Sequence, residues 1–279
     1  MELHYKKFPL VRLKQFSTNP AYIWFWLKRY FIYKQSSFQY VENIKNIKQL
    51  TANETLTYLI ESESSMIRFG DGEFGMMTGA GIYPPDSDWS QRYAAKLKKT
   101  LLRQLTSRNK KILIAIPPKR HLAYREGLNL EPEIISSMHT EARMILGKIN
   151  HQDVLYGDWS IFLPHINPDL DWQKLSDFLK HKTVVIMTGG IGKLGDVKIG
   201  IRTIFLECGK HNAFQRKSEI INQIDNLIAK ELLVPKETFF MISLGCTSGV
   251  IVEHLSKRNY LAWDTGHIFR FAMEKIKSL

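Results

Sequence analysis

An α/β fold, with a mainly parallel sheet covered by helices on both faces, is what the sequence predicts, and three observations lead to it. Short continuous apolar runs such as Thr183-Val184-Val185-Ile186-Met187 and Ile112-Leu113-Ile114-Ala115-Ile116 read as strands buried on both faces, because a solvated face would need alternating polar residues. Longer segments with apolar residues at helical spacing lie between such runs, as in Trp89 to Leu105 and Ser218 to Leu232. The two kinds of segment alternate along the chain, which is the pattern of β-α-β units and of a Rossmann-like sheet.

The elements follow in order. Thr51-Ala52-Asn53-Glu54 has capping-box spacing and opens a helix carrying Leu56, Leu59 and Ile60. Met66-Ile67-Arg68-Phe69 is a short buried strand that ends at Gly70. Trp89 to Leu105 puts Tyr93, Leu97, Thr100, Leu101 and Leu105 on one helical face. Ile112 to Ile116 is a strand stopped by Pro117-Pro118. Helices are expected over Pro132 to Leu146 and Trp172 to Leu179, then strands over Thr183 to Met187 and Thr203 to Leu206. The helix Ser218 to Leu232, the strand Phe239 to Leu244 and the helix Val250 to Leu255 come next. Tyr260 to Trp263 is a short strand and Phe269 to Ile276 a closing helix. In such a sheet ligands bind beyond the carboxyl ends of the strands, so the residues just after each strand are the functional candidates.

Composition narrows the class. The 279 residues are 44% hydrophobic and 24% charged, which excludes a disordered, collagen-like or coiled-coil chain. Two cysteines, Cys208 and Cys246, are too few for a disulfide framework or a Cys-rich zinc site and point to a reducing compartment. Met1 to Leu10 lacks the apolar core of a signal peptide, and Ala21 to Leu27 is far short of the roughly 20 residues that span a bilayer. The expected location is cytoplasmic, in solution or peripheral at the inner face of the cell membrane. The net charge of +12 is uneven: nine basic and two acidic residues fall in the first 50, and 12 of the 32 aromatics fall in residues 1–40. Aromatic and basic residues interleaved over residues 20–40 suit a membrane surface, where each Lys or Arg near anionic lipid contributes about 1 kcal/mol. The competing reading packs these aromatics on the main body or against a second copy in a homo-oligomer. No nucleic-acid recognition motif is present, so no nucleic-acid partner is expected. The expected organisation is an appendage over residues 1–50 and a main domain over 51–279.

Four segments that follow strands carry candidate chemistry. Arg68-Phe69-Gly70-Asp71-Gly72-Glu73 offers two carboxylates at i and i+2 flanked by glycines, a donor set that hard cations such as Mg²⁺ or Mn²⁺ accept; an Asp-Gly turn is the plain alternative. Gly190-Ile191-Gly192-Lys193-Leu194-Gly195 is a formal dinucleotide fingerprint, with Glu207 after the next strand. Only Asp196 to Arg202 separates it from that strand, too little for a crossover helix, so a glycine-rich phosphate or turn loop is the preferred reading. Leu244-Gly245-Cys246-Thr247-Ser248-Gly249 lies between strand and helix, where backbone amides with Thr247 and Ser248 as caps make an anion site. At such an elbow Cys246 is formally a nucleophile candidate, with no His or acid tied to it. Trp263-Asp264-Thr265-Gly266-His267 places an acid and a histidine three apart after a strand, as metal or phosphate ligands or as structural groups.

Arg68-Phe69-Gly70-Asp71-Gly72-Glu73-Phe74 resembles the signature of the bacterial glycosyltransferase family with the GT-D fold. The similarity continues through Gln91-Arg92-Tyr93 with Leu97 and Leu101, Asn212-Ala213-Phe214, Leu244-Gly245 with Thr247, and Asp264, Gly266 and His267, covering roughly residues 55 to 270. Tyr156-Gly157-Asp158-Trp159-Ser160 keeps part of the family pattern, but Leu163-Pro164 stands where an arginine is expected, and Cys246 stands where the family commonly has proline. That last departure makes the cysteine a local substitution and not a nucleophile.

The resemblance implies a metal-dependent hexosyltransferase that takes a UDP-sugar donor and a saccharide acceptor, either lipid-linked or on a glycoprotein. It implies Asp71, Glu73 and Asp264 as catalytic residues and Asp71, Glu73 and His267 as ligands for Mn²⁺ or Mg²⁺. Arg68, Gly70, Gly72, Gly245, Thr247, Ser248 and His267 would bind the donor, with Gly189 and Gly190 as a second wall. Two other classes stand beside it: an NAD-dependent oxidoreductase working through Gly190 to Gly195, and a non-catalytic scaffold of a polysaccharide assembly.

Overall fold

The computed structural model describes residues 38–78, 94–122, 140–190, 194 and 197–277. Among these, eight strands form one sheet: β1 Lys48–Gln49, β2 Ser65–Arg68, β3 Ile112–Ile116, β4 Leu155–Asp158, β5 Thr183–Thr188, β6 Arg202–Glu207, β7 Thr238–Ser243 and β8 Leu261–Asp264. Their order is β1-β4-β3-β2-β8-β7-β5-β6, and every neighbouring pair is parallel. The longer helices are α1 Ala52–Glu61, α2 Asp71–Thr78, α3 Ala94–Leu105, α4 Thr140–Leu146, α5 Trp172–Leu179, α6 Lys217–Lys230 and α7 Ser248–Lys257.

The interiors of β5 and β7 are apolar because each strand feeds two cores. In β5, Val185 and Met187 face one core while Val184 and Ile186 face the other; in β7, Phe240 and Ile242 oppose Phe239 and Met241. The first core is closed by α2, α3, α4, α6 and α7, through residues such as Phe74, Leu101, Ile224 and Val252. The second is closed by α1, α5 and the C-terminal turns, through Leu56, Leu175 and Ile276. Its centre is Trp263, stacked on Phe178 with centroids 5.5 Å apart and met edge-on by Phe239 at 4.7 Å. The buried indole N–H donates to the Ser64 carbonyl at 3.0 Å, so this donor is not left bare.

Local signals set several boundaries. The capping box at α1 forms as its spacing predicts: Glu54 Oε2 accepts from the Thr51 N–H at 2.8 Å, and the Thr51 hydroxyl accepts from the Glu54 N–H at 3.4 Å. The closing helix divides into Ile268–Phe271 and Met273–Lys277. Three elements were not legible. β1 and β4 are short and carry polar residues, and α2 begins inside the glycine-rich signature that reads as a turn.

The expected division at residue 50 requires correction. Ile44 and Ile47 are fully buried in the first core, and β1 pairs with β4, so residues from about 40 onward belong to the main body. Tyr40 seats on Gly147 so closely that a methyl group there would stand 2.1 Å from Tyr40 Cβ. Among the described residues, then, the last aromatic of the N-terminal cluster packs on the protein itself. The remainder of that cluster, like residues 79–93, 123–139, 191–193 and 195–196, lies outside the described residues. No helix among the described residues is long and apolar enough to cross a membrane.

Strand order locates the site. From β2 the chain runs outward one way to β3 and β4, while β5, β7 and β8 return from the other side to pair β8 with β2. The order therefore reverses between β2 and β8, and a parallel sheet opens a crevice at the carboxyl ends of such strands.

Candidate active site

β2 and β8 end on Arg68 and Asp264, and both side chains are nearly enclosed, at 6% and 4% exposure. A buried guanidinium needs acceptors and countercharge. Arg68 Nε donates to the Trp159 carbonyl at 2.5 Å, and its Cζ lies 5.4 Å from the centre of that indole. Asp264, Glu73, Asp158 and Asp71 supply the countercharge, opposing a desolvation that pulls the Arg68 pKa down. Side chains from the ends of β4 and β8 and the start of α2 thus converge on the cation that ends β2.

The signature folds as a helix start. The Gly70 N–H donates to Glu73 Oε2 at 2.8 Å and the Gly70 carbonyl accepts from the Phe74 N–H, so Gly70 is the residue from which α2 springs and Glu73 caps it from the third position. A side chain at Gly70 would stand 3.3 Å from that Glu73 oxygen and 3.6 Å from the Trp159 ring. Gly72 is buried in the first turn, whereas Asp71 faces solvent. Desolvation raises the pKa of Glu73, with the nearby Asp71 charge adding to it; hydrogen bonds from the Cys246 thiol and the Gly70 amide oppose the rise.

Asp264 is shaped by burial. Desolvation and the Glu73 charge push its pKa up to about 7, against the pull of the Arg68 cation. Its Oδ1 accepts from the Gly266 N–H at 3.0 Å. Gly266 sits at φ +53, and a Cβ there would fall 1.7 Å from Arg68 Nη1, so the backbone passes directly against the guanidinium. Thr265 fixes this segment to β7 through its N–H and hydroxyl, which reach the Ile242 carbonyl at 2.8 and 3.2 Å. His267 is exposed at the mouth, edge-on to Phe271 at 6.0 Å. Its pKa is lowered by desolvation and by the Arg68 and Arg270 cations, against the Asp71 charge, so the imidazole stays neutral near pH 7.

The elbow after β7 completes this edge. Gly245, at φ +57, opens the tight turn Gly245–Thr247, in which Cys246 is buried. Thr247 Oγ1 is buried and has no hydrogen-bond partner among the described residues, an orphaned polar atom at a helix start. Ser248 does something other than expected: it is fully buried and its hydroxyl accepts from the Leu244 N–H at 3.0 Å, so it ties the turn together. Neither Thr247 nor Ser248 makes the side-chain cap bond that was expected.

The trio Asp71, Glu73 and His267 is not a preformed cage, and no three such groups among the described residues could hold a metal. Gly189 and Gly190 follow β5, three strand positions from β2, which at about 4.8 Å per strand is roughly 14 Å away. They pack on Gly209 and Lys210, with Glu207 beside Gly190, and no helix of ordinary length separates β5 from β6 among the described residues. The contacts of Cys246 with Glu73 and of Trp159 with Arg68 have no signal in the local sequence. Each residue is ordinary by type, and only the fold sets one against Glu73 and the other under Arg68.

A parallel α/β sheet with a buried arginine and several acids gathered at its topological switch is the frame of an enzyme that handles a charged ligand. The family described as glycosyltransferase GT-D fold matches residues 66–272, and the chain belongs to that family. It is 24% identical over 232 residues to glycosyltransferase GlyD of Streptococcus pneumoniae serotype 4, covering 77% of this chain and 26% of that protein. It is 25% identical over 238 residues to the probable glycosyl transferase Gly of Streptococcus gordonii, covering 80% of this chain and 32% of that protein. The chain thus spans about a quarter to a third of these relatives. Two solved structures share the fold. One is a domain of unknown function 1792 described as having a distinct glycosyltransferase fold (TM-score 0.66, 24% identity, 83% of this chain and 82% of that one). The other is a glycosyltransferase of the same domain type from Streptococcus sanguinis (TM-score 0.57, 22% identity, 80% and 82%).

Proposed function

We propose that the protein transfers a hexose from a UDP-sugar to a saccharide acceptor, using a divalent cation. The observation that carries this reading is the convergence of Asp71, Glu73 and Asp264 on the buried Arg68 at the switch between β2 and β8. Such a crevice suits a ligand that brings both phosphates and its own cation. Mg²⁺ and Mn²⁺ are commonly held by one or two carboxylates and complete their shell with phosphate oxygens, so Asp71 and Glu73 fit the ion without a third protein ligand. When bound, the ion neutralises charge on the departing diphosphate as a Lewis acid.

The chain's own residues would then divide the work. Arg68, held by the Trp159 carbonyl and ring, keeps the carboxylates in place and offers its free N–H groups toward phosphate. The orphaned Thr247 hydroxyl and the amides opening α7 receive part of the nucleotide. Asp264, whose pKa lies near neutrality, takes the acceptor hydroxyl proton as general base. Neutral His267 at the mouth accepts a hydrogen bond from the donor or lends a ligand to the ion. The aromatic and basic segment over residues 20–40 would bring the protein to a lipid-linked acceptor at the membrane surface.

Thermal unfolding with UDP, with and without Mn²⁺, tests the donor site on wild type and on Glu73→Gln. A ligand at 100 times its Kd stabilises by about 2.7 kcal/mol. A metal-dependent shift that is lost in Glu73→Gln is expected. No shift with UDP under either condition refutes the assignment, and a shift with NAD instead moves the site to the glycine loop after β5.

A further inference from the structure

A second cleft lies at the opposite, amino-terminal edge of the same sheet. It is a cavity of about 260 Å³ whose lining comes from the starts of strands: Ser65 opens β2, Leu261 opens β8, and Lys111, Lys182 and Lys236 stand just before β3, β5 and β7. Nothing in the glycosyl-transfer reading uses it.

Its charge is unbalanced. Three lysines line the cleft against one acidic residue, Glu63. The lysines are positioned by neutral groups: Lys111 Nζ donates to Asn259 Oδ1 at 2.8 Å, and Lys182 Nζ donates to the Lys236 carbonyl at 2.6 Å while lying 5.6 Å from the Phe178 ring. None of the three joins an ion pair among the described residues. Like charges gathered on one cleft repel each other and favour an anion between them. Polar groups inside are also available. Ser256, only 5% exposed, has a hydroxyl with no partner among the described residues, and Ser65 accepts from the Ala262 N–H at 3.2 Å while its own proton remains to be donated.

We propose that this cleft binds a small phosphorylated molecule. Lys182 and Lys236, which precede the neighbouring strands β5 and β7, hold its phosphate, and the Ser65 and Ser256 hydroxyls hold its uncharged part. The net cleft charge of about +2 matches the roughly −1.5 to −2 of a phosphate monoester at pH 7. The volume lies below the roughly 300–1,000 Å³ of ordinary ligand pockets, which fits a phosphate with a few carbons. The site is distinct from the catalytic crevice yet shares two strands with it. Ser65 and Arg68 are three residues apart on β2, about 10 Å at 3.3 Å per residue.

The test is calorimetric titration of the full chain at low ionic strength with glycerol 3-phosphate, inorganic phosphate and plain glycerol. Both phosphates should bind at one site per chain and glycerol should not. Lys182→Gln should weaken binding about tenfold. Because Lys182 also holds the Lys236 backbone, Lys236→Gln is the second variant: its exposed ammonium makes no hydrogen bond among the described residues, and the change should weaken binding several-fold without lowering the Tm. Ser256→Ala should weaken glycerol 3-phosphate and spare inorganic phosphate. UDP binding at the other edge should be unchanged in Lys236→Gln. Absence of phosphate binding by the wild type, or equal binding by wild type and both lysine variants, overturns the proposal. Neither result bears on the transferase reading, since no catalytic residue is altered.

Discussion

Replacing Asp264 with asparagine should make folding stability less sensitive to pH in the weakly acidic range. The wild-type carboxyl sits at 4% exposure with its pKa pushed up to about 7, from a usual value near 3.8. At about 1.4 kcal/mol per pK unit, that shift favours the neutral form inside the fold by about 4 kcal/mol. The sign follows from proton counting: between these values the folded protein keeps a proton that the unfolded chain has released. The group's contribution is therefore complete below about pH 4, declines as pH rises, and is gone above about pH 7. Asparagine mimics the neutral carboxyl in size and does not titrate. Relative to wild type, Asp264→Asn should gain about 2 kcal/mol between pH 5 and pH 7, whatever its offset from the loss of a partner for Arg68. Glu73, raised in the same direction, remains in both proteins and largely cancels in the comparison. Urea unfolding at fixed ionic strength, with unchanged m-values, measures the difference. An offset between the two proteins that is the same at both pH values refutes a buried Asp264 carboxyl that titrates near neutrality.

Three further outcomes follow from the geometry. Gly266→Ala combines a left-handed backbone at φ +53 with a Cβ placed 1.7 Å from Arg68 Nη1; it should cost at least 2 kcal/mol, roughly, and displace the guanidinium, read as a drop in Tm together with weaker UDP binding. Trp263→Ala empties the centre of the second core and should cost about 3–5 kcal/mol in chemical denaturation. Thr51→Ala removes one half of the α1 capping box and should cost about 1 kcal/mol with no change in nucleotide binding; a neutral result would show that Glu54 alone secures that helix start.

The sequence by itself determined the layers. Runs such as Val184 to Met187 and Phe239 to Ile242 are apolar at every position, and only a strand covered on both faces hides them all. Capping residues set the start of α1, and the glycine-flanked acids and the Asp264 segment follow strands that their own apolar residues announce. Local propensity could not supply the rest. β1 and β4 are too short and polar to announce themselves, and they exist because partner strands satisfy their backbone. The pairing of β2 with β8, whose residues lie nearly 200 positions apart, brings Arg68 to Asp264. Only that pairing buries both charges, and burial is what moves their pKa values. The same holds for Cys246, Trp159 and the three lysines before β3, β5 and β7. Each is unremarkable in its own stretch of chain, and each acquires its role from a neighbour that a parallel sheet delivers from a distant segment.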